Sequence, residues 1–168
     1  MALVRDPRIA DDEARNDQVV SLHPDMDPDT IRMWVALTGS VAAPFAPWWL
    51  GVTSVLLEFV QHRYLMMGAS SSFLNSDFRM QEASVFAGRI FERILYYMCS
   101  APDAFLPVVT DMLTGFEAQS RDDLDWAEKG ARALIEKGDR DAAKTLLTHY
   151  SHTRAAKALE VGKTIADA

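Results

Sequence analysis

The chain has 168 residues, 49% of them hydrophobic and 24% charged, with only 8 Gly and 7 Pro. That is enough chain for one domain with one core, and it excludes a wholly disordered, collagen-like or low-complexity protein. The 17 Lys and Arg stand against 24 Asp and Glu, for a net charge of -7, which excludes a broad phosphate-binding surface and leads us to expect no direct nucleic-acid contact. The single cysteine, Cys99, excludes an internal disulfide framework and any Cys-based zinc site, and points to a reducing, cytoplasmic setting.

Residues 1–26 read as a polar N-terminal arm, without the apolar core or cleavage site of a signal peptide. Residues 27–168 read as the domain proper. Asp27 can cap a helix, Pro28 fits its first position and Asp29 faces the positive end of its dipole. The first helix then runs to about Ala43 with Ile31, Trp34, Val35, Thr38 and Val41 on one face. From Met33 to Leu57 no side chain is charged, a stretch about long enough to cross a bilayer. Pro44, Pro47 and Gly51 interrupt its middle and no Lys/Arg cluster flanks it, so we expect no membrane span but two buried helices joined by a Pro-containing corner.

The second helix is expected over Thr53 to Met67, stopping at the Gly68–Ser72 breaker. A third segment, Phe73 to Phe86, meets Ala87-Gly88 and resumes as Arg89 to Cys99. Ser100–Asp103 separates this from a helix around Ala104 to Glu117, with Pro107 in its first turn. Asp122 is read as the cap of the next helix, through Lys137, and Gly138-Asp139 ends it and starts the last, Arg140 to about Val161. No run shows the alternation of a strand. The expected fold class is therefore all-α, an antiparallel bundle of about six or seven helices.

Chemistry is sparse. Glu58 and His62 at i and i+4, and His149 and His152 at i and i+3, are each spaced to share a helix face as metal ligands, or simply to lie on a solvated stripe. Neither pair has a third ligand specified by spacing, and the Glu-x-x-His repeat of di-iron bundles is missing. There is no phosphate loop after a strand and no Gly-x-Ser-x-Gly elbow, and Cys99 has no spaced His to activate it. We expect no enzyme and no cofactor. Met66, Met67, Met80, Met98 and Met112 either fill core gaps or make an adaptable wall around an apolar ligand.

Three stretches carry a resemblance. Asp77–Ala83 followed by Ala87–Leu95, then Trp126–Asp139, then Asp141–Lys144 through Tyr150-Ser151-His152 resemble successive helices of the FCD effector-binding domain of GntR-family (FadR-type) transcription regulators. The resemblance spans roughly Asp29 to Ala158. It implies a dimerising, ligand-sensing helical domain, with the pocket built from helices 73–86, 122–137 and 140–161. Positions that hold a metal in many such domains fall on Asn75, Arg79, Glu128 and Tyr150, or with a one-residue slip on Ser76 and Met80 for the first two, and neither set rebuilds a metal site.

The resemblance thus implies a metal-free pocket in which Asn75 and Arg79, Glu128 and Arg132, and Tyr150 and Arg154, each pair one turn apart, hold a small carboxylate or acyl effector. Residues 1–26 are too few for the family's winged helix-turn-helix, so the chain is expected to supply the effector half, as a homodimer. The readings from other classes are a stand-alone helical-bundle protein and a metal-dependent bundle enzyme using Glu58, His62, His149 or His152.

Overall fold

Gly138-Asp139 organises the helical part of the molecule. Gly138 takes a φ of 84°, a left-handed geometry that costs glycine nothing. This lets Gly138 N–H donate to the Ile135 carbonyl and Asp139 N–H to the Leu134 carbonyl, each at 2.9 Å. Orphan carbonyls at the end of one helix are thereby satisfied. Asp139 then starts the next helix, its carboxylate accepting from Ala142 N–H at 3.1 Å. A turn this short leaves the two flanking helices no choice but to fold back antiparallel.

The computed structural model describes residues 16–22, 25–60 and 85–168. Their order is β1 (Asn16–Ser21), β2 (Arg32–Leu37), β3 (Ala46–Trp49), α1 (Ala87–Ser100), α2 (Pro102–Glu136) and α3 (Arg140–Ala166). Short 3-10 turns lie at Pro28–Thr30 and Leu57–Phe59. The strands form one antiparallel sheet in the order β1-β2-β3. No described helix is long and apolar enough to cross a membrane.

The all-α bundle of six or seven helices is thus overturned: the described residues hold three α-helices and a three-stranded sheet. The helix expected from Asp29 to Ala43 is a 3-10 turn, strand β2 and a buried turn. Asp27 does cap the 3-10 turn, accepting from Asp29 N–H at 3.0 Å. The physical reason for the misreading is that β2 is apolar on both sides. Trp34 and Ala36 are buried on one face, while Met33, Val35 and Leu37 line a cavity on the other. A strand covered on both faces reads as a continuous apolar run and loses its alternation.

The polar arm expected over 1–26 contributes β1, a strand of two Val among polar residues that takes its order from pairing with β2. Of the expected second helix, residues 53–60 contain only the Leu57–Phe59 turn. Residues 61–67, the Gly68–Ser72 breaker and all but the end of the Phe73–Phe86 segment lie outside the described residues. Ala87-Gly88 is no break but the first turn of α1.

The two helices expected over 104–117 and 122–137 are one helix of 35 residues, α2, about 52 Å long at 1.5 Å per residue. Glu117–Asp123 is polar but holds no Gly or Pro to stop it. Asp122 sits mid-helix and caps nothing. Pro102, not Pro107, takes the first position, where a missing N–H costs little, and Pro107 falls inside the helix.

Helix α3 is the hub, touching α1, α2 and β3. Its buried residues recur at three and four and gather on one broad face, about half of its circumference. Small residues Ala155, Ala158 and Gly162 allow close approach, and a Cβ on Gly162 would lie 2.7 Å from Phe91 Cε1. Gly51 is equally constrained, since a Cβ there would come within 2.8 Å of the Asp29 carbonyl oxygen.

Candidate functional site: an apolar cavity beside the sheet

The residues expected to form the ligand site divide in two. Asn75 and Arg79, with the alternative Ser76 and Met80, lie outside the described residues. Glu128, Arg132, Tyr150 and Arg154 are brought near one another between α2 and α3, but each already has a partner in the chain. Arg32 Nη1 donates to Glu128 Oε1 at 2.7 Å, and Arg132 sits 3.9 Å from the other carboxylate oxygen. Trp49 Nε1 points to Glu128 Oε1 at 3.4 Å. Arg154 pairs with Asp123 and lies over the Tyr150 ring.

Tyr150 is 7% exposed and meets Trp49 edge-on, with ring centroids 5.6 Å apart. Its hydroxyl donates to the Ser120 carbonyl at 3.2 Å. Burial pushes the Tyr150 phenol above its ordinary value, and the Arg154 guanidinium partly opposes this. The cluster joins sheet to helices through these pairings, although Arg32 Nε and Arg154 Nε are buried without a hydrogen-bond partner. None of its arginines is left to bind an anion by charge alone.

The metal pairs fare no better as sites. His152 Nε2 lies 2.8 Å from the Ser54 carbonyl oxygen. Because that oxygen can only accept, the proton is on Nε2. His62 lies outside the described residues. Among the described residues no group of three or more His, Cys, Asp or Glu is placed to hold a metal.

What the sequence reading did not single out is a cavity of about 380 Å³ beside the sheet, within the range of roughly 300–1,000 Å³ typical of small-molecule sites. The alternation of β2 turns Met33, Val35 and Leu37 to one side. Antiparallel register sets Trp48 opposite Met33 and Ala46 opposite Val35, so residues of both strands form one wall. The chain then turns at Leu50-Gly51, and Val52, Val55 and Phe59 form a second wall. Phe91 of α1 and Ala158 of α3 also line it. No described lining residue is charged, and none is a Ser, Cys, His, Asp or Glu.

Exposure falls along this cavity. Leu50 and Val55 are 55% and 47% exposed, whereas Phe91 and Ala158 are 1% and 2% exposed. The site therefore opens at the 50–55 segment and is most buried against the helices. That segment is pinned to α3 from outside: Thr53 N–H donates to Thr148 Oγ1 at 3.1 Å, and Ser54 is held by His152. An arrangement with this described lining can bind and desolvate an apolar molecule.

The sequence signal for this site was the uncharged stretch from Met33 to Leu57. Its apolar residues were read as the buried faces of two helices, and Trp48, Trp49 and the prolines as an interruption. Comparison with family models, with curated proteins and with solved structures returns no match for this chain.

Proposed function

We propose that this chain is a non-catalytic binding protein whose cavity takes a small, elongated apolar molecule of acyl-chain type. The observation that carries the reading is the cavity itself: its volume is that of a ligand site, its described walls are wholly apolar, and it opens to solvent at Leu50 and Val55. A water-sized group takes roughly 30 Å³. About a dozen such groups therefore fill the volume, the size of a ten-carbon chain with a small head.

Of the two ligand types implied by the resemblance, this favours the acyl over the small carboxylate. Arg132 and Arg154, which would have met a carboxylate, are paired with Glu128 and Asp123. The regulator role implied by the same resemblance drew on an all-α bundle, and the sheet removes that support.

Titration with 1-decanol, followed by tryptophan fluorescence, tests the reading, because Trp48 and Trp49 both line the cavity. A saturable, one-to-one blue shift is expected, with decanoate binding more weakly because its charge would be buried without a partner. A linear, unsaturable response would remove the proposal.

A further inference from the structure

Two of the described lining residues, Trp48 and Trp49, carry an N–H donor on the side chain; the others carry none. The two tryptophans are adjacent in sequence but lie on opposite faces of β3. Trp49, the nearly buried one, directs its Nε1 to Glu128. Trp48, on the cavity face opposite Met33, is half-buried. Its indole N–H makes no hydrogen bond to any described residue. An indole N–H donates and never accepts, and this one is not among the buried unpaired groups, so water reaches it and a ligand acceptor can take the water's place.

From this we infer that the ligand carries one uncharged hydrogen-bond acceptor, the oxygen of a ketone, aldehyde or ester, which Trp48 Nε1–H engages while the apolar chain runs inward to Phe91 and Ala158. This rests on the cavity being the binding site, and it adds the chemical class of the head group.

Charge argues the same way. No described lining residue is cationic, so a carboxylate or phosphate in this position would lose hydration without gaining a counter-charge. A neutral carbonyl loses far less on transfer, and one indole N–H restores its hydrogen bond. The exposure gradient sets the direction. A head beside half-buried Trp48 stays near the solvent end marked by Leu50 and Val55, and the tail occupies the end lined by the helices.

The test compares 2-octanone, which has one acceptor, with n-octane, which has none, on the native chain and on Trp48→Phe. Phenylalanine keeps an aromatic ring in the wall and deletes the donor. The dissociation constant of 2-octanone is expected to rise about three- to ten-fold in the variant, the size of one ordinary hydrogen bond. That of n-octane should change less than two-fold. Equal weakening of both ligands, or of neither, would overturn the inference while leaving the cavity as the site. Failure of the native chain to bind either ligand would instead overturn the cavity reading. A measurement on the native chain needs no variant: in a proton–nitrogen correlation spectrum the Trp48 indole N–H should move downfield with 2-octanone and not with n-octane. Identical shifts with the two ligands would count against the inference.

Discussion

Arg32 Nη1 lies 2.7 Å from Glu128 Oε1 across 96 positions of chain, which makes one ion pair the polar joint between the sheet and α2. Trp49 Nε1 reaches the same oxygen, and Trp49 packs edge-on against Tyr150 of α3. Arg32 and Glu128 are only 22% and 15% exposed, so loss of Glu128 leaves Arg32 poorly solvated, whereas loss of Arg32 leaves Glu128 with Arg132 at 3.9 Å. Glu128→Ala is expected to cost about 1–3 kcal/mol, mostly as the penalty for leaving Arg32 desolvated and unpaired. Urea denaturation of Glu128→Ala, Arg32→Met and the double variant should show the double variant recovering part of that loss. Strictly additive losses would mean that the pair contributes nothing as a pair.

Gly162 leaves no room for a methyl group. Its Cβ would sit 2.7 Å from Phe91 Cε1 and 3.2 Å from Ile90 Cγ2. Phe91 has somewhere to go, because it lines the cavity. Gly162→Ala is therefore expected to destabilise by only about 1 kcal/mol, near the low end for overpacking, and to weaken 1-decanol binding by pushing the ring into the ligand's space. Full retention of binding in this variant would show that Phe91 does not shape the site.

The 25–30 segment is tied to the start of α3 by charge. Arg140 pairs with Asp27 at 2.5 Å and with Asp29 at 2.8 Å, and Lys144 stands 3.5 Å from Asp29. The Arg140 side-chain hydrogen bond holds the Asp27 carboxyl below its ordinary value of 3.8. A carboxyl whose folded value is depressed adds stability that is fully present above the unfolded value and is lost as pH falls through the folded one. The native chain should therefore lose stability relative to Asp27→Asn as pH is lowered from 5 to 2. Arg140 is half-exposed, so the effect should be small and should shrink with added salt. Parallel stability curves for the two proteins over that range would contradict the assignment.

Legibility in the sequence followed how each segment is covered. The Arg89–Cys99 segment and α3 were readable because apolar residues recur at three and four and Gly138-Asp139 both closes one helix and caps the next. The sheet is not, because β2 is apolar on both faces and β1 is polar with only two valines, so neither displays alternation. Helix α2 reads as two because Asp122 has the chemistry of a helix cap, although the residues just before it continue the helix and Glu117 and Ser120 there are 2% and 0% exposed. Arg32, which pairs with Glu128, sits 96 positions away, and no local spacing points to it. The cavity was invisible for a related reason. It is made where strand register, a turn and two helix faces meet, and each contributes residues that look like ordinary core.

Ala158 gives a way to close the site without opening the core. It is 2% exposed and lines the cavity, so the extra carbons of Ala158→Leu enter space that is already there. Thermal stability should be unchanged or slightly raised, as for other cavity-filling changes, while affinity for 1-decanol should fall at least ten-fold. A variant that binds normally would place the ligand elsewhere.

The most direct measurement of the central claim is a methyl-labelled correlation spectrum recorded through a 1-decanol titration. The cavity account predicts saturable shifts, with one common dissociation constant, at the methyl groups of Val35, Leu37, Leu50, Val52 and Val55. It also predicts little change at Val109, Leu113 and Leu124, which are buried in α2 and line no part of the cavity. No saturation, or shifts concentrated instead at exposed Leu106 and Val108 on the same helix, would contradict it.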